Sequence, residues 1–300
     1  MEVHEKFSIL ITTRNRIEQL KITLGSLNPL FQAGIKVIIC DDGSKDNTSF
    51  WLRKNYPQVK LIVNDVSQGY ISNRNKLLAM VETPYAISLD DDASIISQDP
   101  LVHIARHFES NPQCGLIALR IFWGLSSPKN TISSDTPHRV KSFVGCAHTW
   151  RMKAWRSIPD YPCWYKFYGE EDFASFHLFK RNWEVHYLPE VLVHHRADIK
   201  ARKKEKDYIP RLSSSLKAGW NNYFIFYPSN LIPRHFFYSI WMQLRIKIFR
   251  GDFKALLALM LALKDTLKNI PQLKRNRSSL SKEEFRAFKQ LPDTQFYWKD

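Results

Sequence analysis

The chain has 300 residues, 44% hydrophobic and 24% charged, with a formal net charge of +15. That is globular material with room for a substantial core, which excludes an intrinsically disordered chain. Cys40, Cys114, Cys146 and Cys163 stand far apart, which excludes CxxC and zinc spacings and leaves free thiols suited to a reducing compartment. No apolar run approaches the about 18 residues that span a bilayer: HFFYSIWMQLRIKIF is interrupted by Arg245 and Lys247, and ALLALMLAL is too short. The N-terminus is not signal-like, so the expected location is cytoplasmic.

In chain order, FSILITT predicts a strand. RNRIEQLKITLGSL predicts a helix, with Ile17, Leu20, Leu24 and Leu27 at helical spacing. KVIIC is a second strand ending in DDGS, and SKDNTSFWLRKNY carries helix-start chemistry. VKLIV, ISNRNKLLAMVE and YAISL continue as strand, helix and strand. This alternation predicts an α/β fold with right-handed crossovers and a mostly parallel central sheet covered by helices on both faces. Residues 115–199 mix short strands (LIALRIFW, SFVGCAH, VHYLP, VLVHH) with a helix beginning at GEEDFASFHLFKRN. From about residue 200 the pattern is helical and basic, which predicts two domains, 1–199 and 200–300. Near the end, Ser281 with Glu284 three residues later predicts a capped helix.

Ligands of such sheets bind beyond the carboxyl ends of the strands. Thr12, Thr13 and Arg14 follow the first strand, Asp41 and Asp42 the second, and Asp90, Asp91 and Asp92 the fourth. Three adjacent carboxylates repel one another unless a cation relieves them, and hard oxygen ligands suit Mg²⁺ or Mn²⁺. Asp90 and Asp92, one residue apart, can point to the same side. The blander alternative, an acidic turn, loses weight because the polar groups share one sheet edge. Asp41 or Asp42 could accept from the imide of a pyrimidine, although DDGS is also ordinary turn chemistry. Arg74 and Asn75 are expected near a helix start, where phosphate is favoured. Glu170, Glu171 and Asp172 crowd another helix N-terminus, where one carboxylate could act as general base. His194 or His195, at a strand end, could add a nitrogen ligand.

Taken in order, SILITTRNR, VIICDDGSKDNT, GYISNRNKLL, ISLDDDA, GEEDF and VHYLPEVLVHH resemble the inverting glycosyltransferases of family 2, on the GT-A fold, over about residues 6–196. The resemblance implies a metal-dependent hexosyltransferase that moves a sugar from a nucleotide-diphosphate sugar, UDP-sugar favoured, to a hydroxyl of a glycan or lipid-linked acceptor. Surface polysaccharide biosynthesis is the implied setting. Thr12, Thr13, Arg14, Asp41, Asp42, Arg74, Asn75, Asp90 and Asp91 would line the donor pocket. Asp90, Asp92 and His195 would hold Mn²⁺ or Mg²⁺. Asp172 would be the catalytic base, with Glu171 beside it. Two departures stand out: His177 where many members have arginine, and Asn182 in place of a usual glycine.

Residues 200–300 hold 21 Lys and Arg against 8 Asp and Glu, a surplus of 13 that leaves only 2 for the first 199 residues. The amphipathic stretches there, Phe236, Phe237, Trp241 and Leu244, then Phe253, Leu256, Leu257, Met260, Leu261 and Leu267, suit an anionic membrane surface on the inner face of the plasma membrane. Packing within the protein is the competing expectation for about half of them. A nucleic-acid-binding protein would use the same charge, but no nucleic-acid motif accompanies it, and nucleic acid is not expected as a partner. A non-catalytic nucleotide-sugar binder would lack the acid at 172. A nucleotidyltransferase would want a glycine-rich phosphate loop that the N-terminal region lacks.

Overall fold

The computed structural model of the chain describes residues 2–198, 207–295 and 297–298. The chain divides into two compact units, one spanning 1–161, 177–198 and 292–300, the other 162–176 and 199–291. The basic stretch at 199–206 lies outside the described residues.

In the first unit, β1 (Phe7–Thr13), β2 (Lys36–Asp41), β3 (Lys60–Val63) and β4 (Tyr85–Asp90) alternate with α1 (Ile17–Ser26), α2 (Asn28–Gln32), α3 (Thr48–Asn55) and α4 (Tyr70–Ala79). The four strands lie in the order β3-β2-β1-β4 and are all parallel. Alternate residues point to opposite faces. Ile9 and Ile11 of β1, with Ile87 and Leu89 of β4, share one core with Leu20 and Leu24 of α1. Leu10 and Ile38 are buried on the other face, where α4 packs on β1 and β2.

The second half of the sheet is mixed. It comprises β5 (Ala93–Ile95), β6 (Cys114–Trp123), β7 (His138–Val140), β8 (Ala147–Arg151) and β9 (Glu184–His195), with α5 (Pro100–Ser110), α6 (Met152–Trp155) and α7 (Glu170–Lys180) between them. β8 runs antiparallel between β4 and β6, β6 pairs parallel with β9, and β9 pairs antiparallel with β5 and β7. A short β10 (Tyr297–Trp298) adds to β6. Two expected strands, VHYLP and VLVHH, form the single β9. Its register slips between Leu119↔Leu188 and Arg120↔Leu192, so Pro189, Glu190 and Val191 stand outside the ladder. Proline has no N–H to donate there. Of SFVGCAH only the end is strand, because β8 begins at Ala147.

The second unit holds α8 (Tyr208–Phe226), α9 (Ile232–Ile246), α10 (Phe253–Lys268), α11 (Ile270–Arg275) and α12 (Lys282–Gln290). Trp220, Leu259 and Ala262 form its core between α8 and α10. Segment 162–176 belongs here through contacts distant in sequence: the Tyr165 hydroxyl donates to Asn222 Oδ1 at 2.7 Å, and Phe176 stacks on Phe226 and Phe288 at 4.6 and 4.4 Å. The expected division at 199/200 therefore differs from the compact units at 162–176 and after 291. The cap expected at Ser281 forms: its Oγ accepts from Glu284 N, and its N–H donates to the Glu284 carboxylate.

Candidate active site

The end of β4 and the start of β5 carry the three consecutive acids, and they point in different directions. Asp90 is half-buried and bound by Arg74 Nη2 at 2.7 Å. Asp91 turns inward, 3% exposed, where the Thr13 hydroxyl donates to it at 2.8 Å and Arg16 approaches at 3.0 Å. Burial pushes Asp91 up to about 7 despite the pull of Arg16. Asp92 is equally buried, but His195 and Arg16 overcome the cost of desolvation and hold its carboxyl well below the usual carboxylate range. Arg16 Nη2 lies 2.5 Å from Asp92 Oδ2, and His195 Nε2 lies 3.1 Å from Asp92 Oδ1.

The backbone explains why these groups meet. β5 pairs with β9 so that Ala93 stands opposite His195, and Arg196 N–H donates to the Asp92 carbonyl at 2.9 Å. Arg196 continues behind the acids. Its guanidinium donates to Ser94 Oγ and to Thr23 Oγ1 at 2.6 and 2.7 Å, and Thr23 in turn donates to the Asp91 carbonyl. His194 faces the other way and hydrogen-bonds Gly124 O at 2.7 Å. Of the two candidate histidines, His195 therefore belongs to the acidic site.

One ligand atom each from Asp90, Asp92 and His195 lie within 4.8 Å of one another. Asp92 Oδ1 has the His195 Nε2 contact alone, and His195 Nδ1 is buried with no hydrogen bond among the described residues. Two hard carboxylate oxygens and an imidazole nitrogen are a donor set that fits a Mn²⁺ or Mg²⁺ ion.

The neighbouring expectations fare differently. Thr12 is half-buried between Cys40 and Asp90 in register, and Arg14 is exposed at the same edge. Asp41 and Asp42 are buried and already engaged by protein donors. Asp41 accepts from Ser44 N and from the Ser49 hydroxyl. Asp42 accepts from Asn64, Ser67, Gln68 N and Gly69 N. These bonds outweigh its burial and hold it far below the usual range. Asp42 thus fixes the loop that leads into α4. Arg74 and Asn75, expected near that helix start, sit in its middle. Arg74 reaches Asp90 and Gly145 O, whereas both sides of the Asn75 amide bind the Tyr161 backbone.

Sequence reasoning missed Arg16 as a counter-charge. Asn15, at φ 52, takes a left-handed turn and is clipped to the β2 loop: its N–H donates to Ser44 Oγ, and its Oδ1 accepts from Lys45 N. That turn swings Arg16 onto the carboxylates. Asparagine followed by arginine after a strand was the available signal.

The expected catalytic acids lie on α7 in the second unit: Glu170 buried, Glu171 half-buried, Asp172 exposed. Gly169 before them has φ +84, and a Cβ there would meet Ala218 Cβ at 2.7 Å. Its carbonyl accepts from Asn222 Nδ2 at 3.1 Å. Burial, reinforced by the Asp172 charge, raises the titration of Tyr165 and Tyr223. Of the two departures, Asn182 adopts φ 59, the left-handed conformation that glycine would take freely. His177 is pushed down to about 4 by burial, so it brings no positive charge where arginine would.

A second group, His107, Cys114 and His186, also has converging ligand atoms. It is closed by its own hydrogen bonds: His107 Nε2 to His186 Nδ1 at 2.9 Å, and His186 Nε2 to Glu184 at 2.8 Å.

A mixed sheet whose parallel half carries its polar loops at the carboxyl edge, with an Asp-x-Asp pair and a histidine there, is the arrangement of a GT-A fold. Solved structures agree in fold. GalNAc-T7 with UDP, GalNAc and Mn²⁺ matches with TM-score 0.60 at 13% identity, over 77% of this chain and 49% of that one. The mannosyltransferase PcManGT of Pyrobaculum calidifontis, in complex with GDP-Man and Mn²⁺, matches with TM-score 0.55 at 13% identity, over 95% and 83%. S. aureus TarS 1-349 in complex with UDP matches with TM-score 0.56 at 16% identity, over 90% and 83%. The family model described as glycosyl transferase family 2 matches residues 8–173, and the chain belongs to that family. Poly-beta-1,6-N-acetyl-D-glucosamine synthase of Staphylococcus epidermidis is 28% identical over 116 residues, which is 38% of this chain and 28% of that protein.

Proposed function

We propose that the chain transfers a sugar, with inversion, from a nucleoside-diphosphate sugar (UDP-sugar favoured) to a hydroxyl of a glycan or lipid-linked acceptor in surface polysaccharide synthesis. The observation that carries the reading is the convergence of Asp90, Asp92 and His195 at the carboxyl edge of the sheet, within 4.8 Å. Asp90, Asp92 and His195 would hold a Mn²⁺ or Mg²⁺ ion, which would supply positive charge for the diphosphate of the leaving group. Arg74 holds Asp90 in place at 2.7 Å, while Arg16 balances the charge of Asp91 and Asp92. Asp172 takes the proton from the acceptor hydroxyl as that oxygen bonds to the anomeric carbon. The bond from that carbon to the diphosphate oxygen breaks, and the nucleoside diphosphate leaves with the electron pair. Single displacement from the opposite face inverts the centre. Glu171 supports Asp172.

The test combines binding with turnover. Calorimetry with UDP and GDP, with Mn²⁺ and with chelator, reads the metal site without any acceptor. Asp92→Asn should abolish Mn²⁺-dependent nucleotide binding and lower transfer by more than the ~100-fold that outer-shell partners contribute. Asp172→Asn should keep donor binding and lose about 10²–10⁴-fold in kcat. Undiminished nucleotide binding by Asp92→Asn in Mn²⁺ would remove the metal assignment. Full turnover by Asp172→Asn with an inactive Glu171→Gln would move the base to Glu171.

A further inference from the structure

Helix α10 distributes its side chains the opposite way from a helix of a water-soluble domain. Its inward stripe, packed on α8, is small: Ala255, Ala258, Ala262 and Thr266, with only Leu259 large. Its large apolar residues point outward, with Phe253 at 75% exposed, Met260 at 58% and Leu267 at 66%, joined by Leu256, Leu257 and Leu261. A folded chain in water gains roughly 1.5–3 kcal/mol by burying each such side chain and gains nothing from displaying it.

The preceding elements repeat the pattern. On α9, Phe237, Tyr238 and Trp241 are exposed one turn apart. Phe236 and Ile240 instead pack toward the α8–α10 core. Phe249, in the turn between α9 and α10, is exposed and its ring meets Trp241 at 6.2 Å. Scattered exposed apolar residues are ordinary; a run of them over two consecutive helices marks an interaction surface.

We propose that α9, its following turn and α10 dock on an anionic phospholipid bilayer, lying along the headgroup–acyl boundary. Charge selects this occupant. Between residues 231 and 275 there are nine Lys and Arg and only two acids, Asp252 and Asp265. Asp252 is engaged in capping Ala255 N at 3.0 Å and accepting from the Tyr208 hydroxyl at 2.6 Å. Arg234, Arg245, Lys254, Lys264 and Lys268 are exposed beside the apolar residues. A second copy of this surface would face the first with like charge, which disfavours self-pairing. Lipid phosphates meet the cations while the acyl boundary receives the rings and leucines, with Trp and Tyr at the headgroup level. No helix among the described residues is long and apolar enough to cross a membrane, which fits helices lying in the interface.

The test is flotation of the full chain with vesicles of phosphatidylcholine alone or of phosphatidylcholine mixed equally with phosphatidylglycerol. The expected result is recovery with the anionic vesicles, little with the neutral ones, and release as salt rises. Replacing Phe253 and Met260 together by Ser should abolish flotation while leaving the helical circular dichroism unchanged, since both side chains are solvent-exposed. Lys254→Gln and Lys268→Gln should each weaken anionic binding about fivefold. Brominated lipid should quench tryptophan emission, and Trp241→Phe should remove most of that quenching. Absence from anionic vesicles at low salt overturns the proposal. So does flotation that the Phe253/Met260 variant retains, or self-association lost in that variant without any lipid binding.

Discussion

Arg16 occupies the two most buried acids of the site, bridging Asp91 and Asp92. A guanidinium and a divalent ion cannot both neutralise the same carboxylates without cost, so the side chain would compete with a metal held by them. Arg16→Gln is expected to tighten Mn²⁺ binding measured without nucleotide, by roughly 10-fold if the lost pair is worth about 1–2 kcal/mol at this half-exposed position. Unchanged or weaker Mn²⁺ affinity would show that the arginine serves another ligand. The acids themselves were legible in the sequence, because three adjacent carboxylates after an apolar strand demand a cation. The choice between His194 and His195 was not, since it depends on strand parity. The arginine was not legible either, because a single left-handed residue, Asn15, decides where it points.

At the level of elements, the parallel half of the fold was visible because its periodicity is local: each strand and its returning helix sit within about thirty residues. The mixed half was not. β8 enters between β4 and β6 from residues 147–151, and no local pattern announces a partner so distant in sequence. The outward stripe of α10 was legible as a stripe, but a stripe does not say on which side its partner lies. The turn into α7 gives an element-scale prediction. Gly169 combines φ +84 with a 2.7 Å approach to Ala218, so Gly169→Ala should cost about 2–4 kcal/mol, strain and overpacking together. The loss appears as a lower denaturant midpoint, and Ala218→Gly in the same chain should recover part of it. An undiminished midpoint for Gly169→Ala would mean that the turn relaxes freely.

For the molecule as a whole, several histidines are folded in the neutral form. Burial, then the neighbouring His186, brings His107 down to about 4, and burial brings His177 to about 4 and His148 well below its ordinary value. The unfolded chain takes up these protons near pH 6.5. The stability is therefore fully present above about pH 6.5 and is lost as pH falls toward 4. Urea melts at pH 7 and pH 5 should show that drop, and His107→Gln should flatten it, given that His107 faces His186 and, beyond it, Glu184. A variant as pH-sensitive as the parent would place the acid sensitivity elsewhere.

The pairing of Ala93 with His195 and of Ser94 with His194 also bears on which genetic changes the chain tolerates. Substitutions along β9 grade the site one side chain at a time. Deletion of a single residue between Val191 and Val193 would shift everything after it by one. Arg196 would then stand in the place of His195, and a fixed positive charge would face Asp92 in place of the imidazole. Side chains in β9 can be exchanged one at a time, whereas a change in its length moves every residue after it: one codon lost there displaces His194, His195 and Arg196 together, which no single missense change in the strand does.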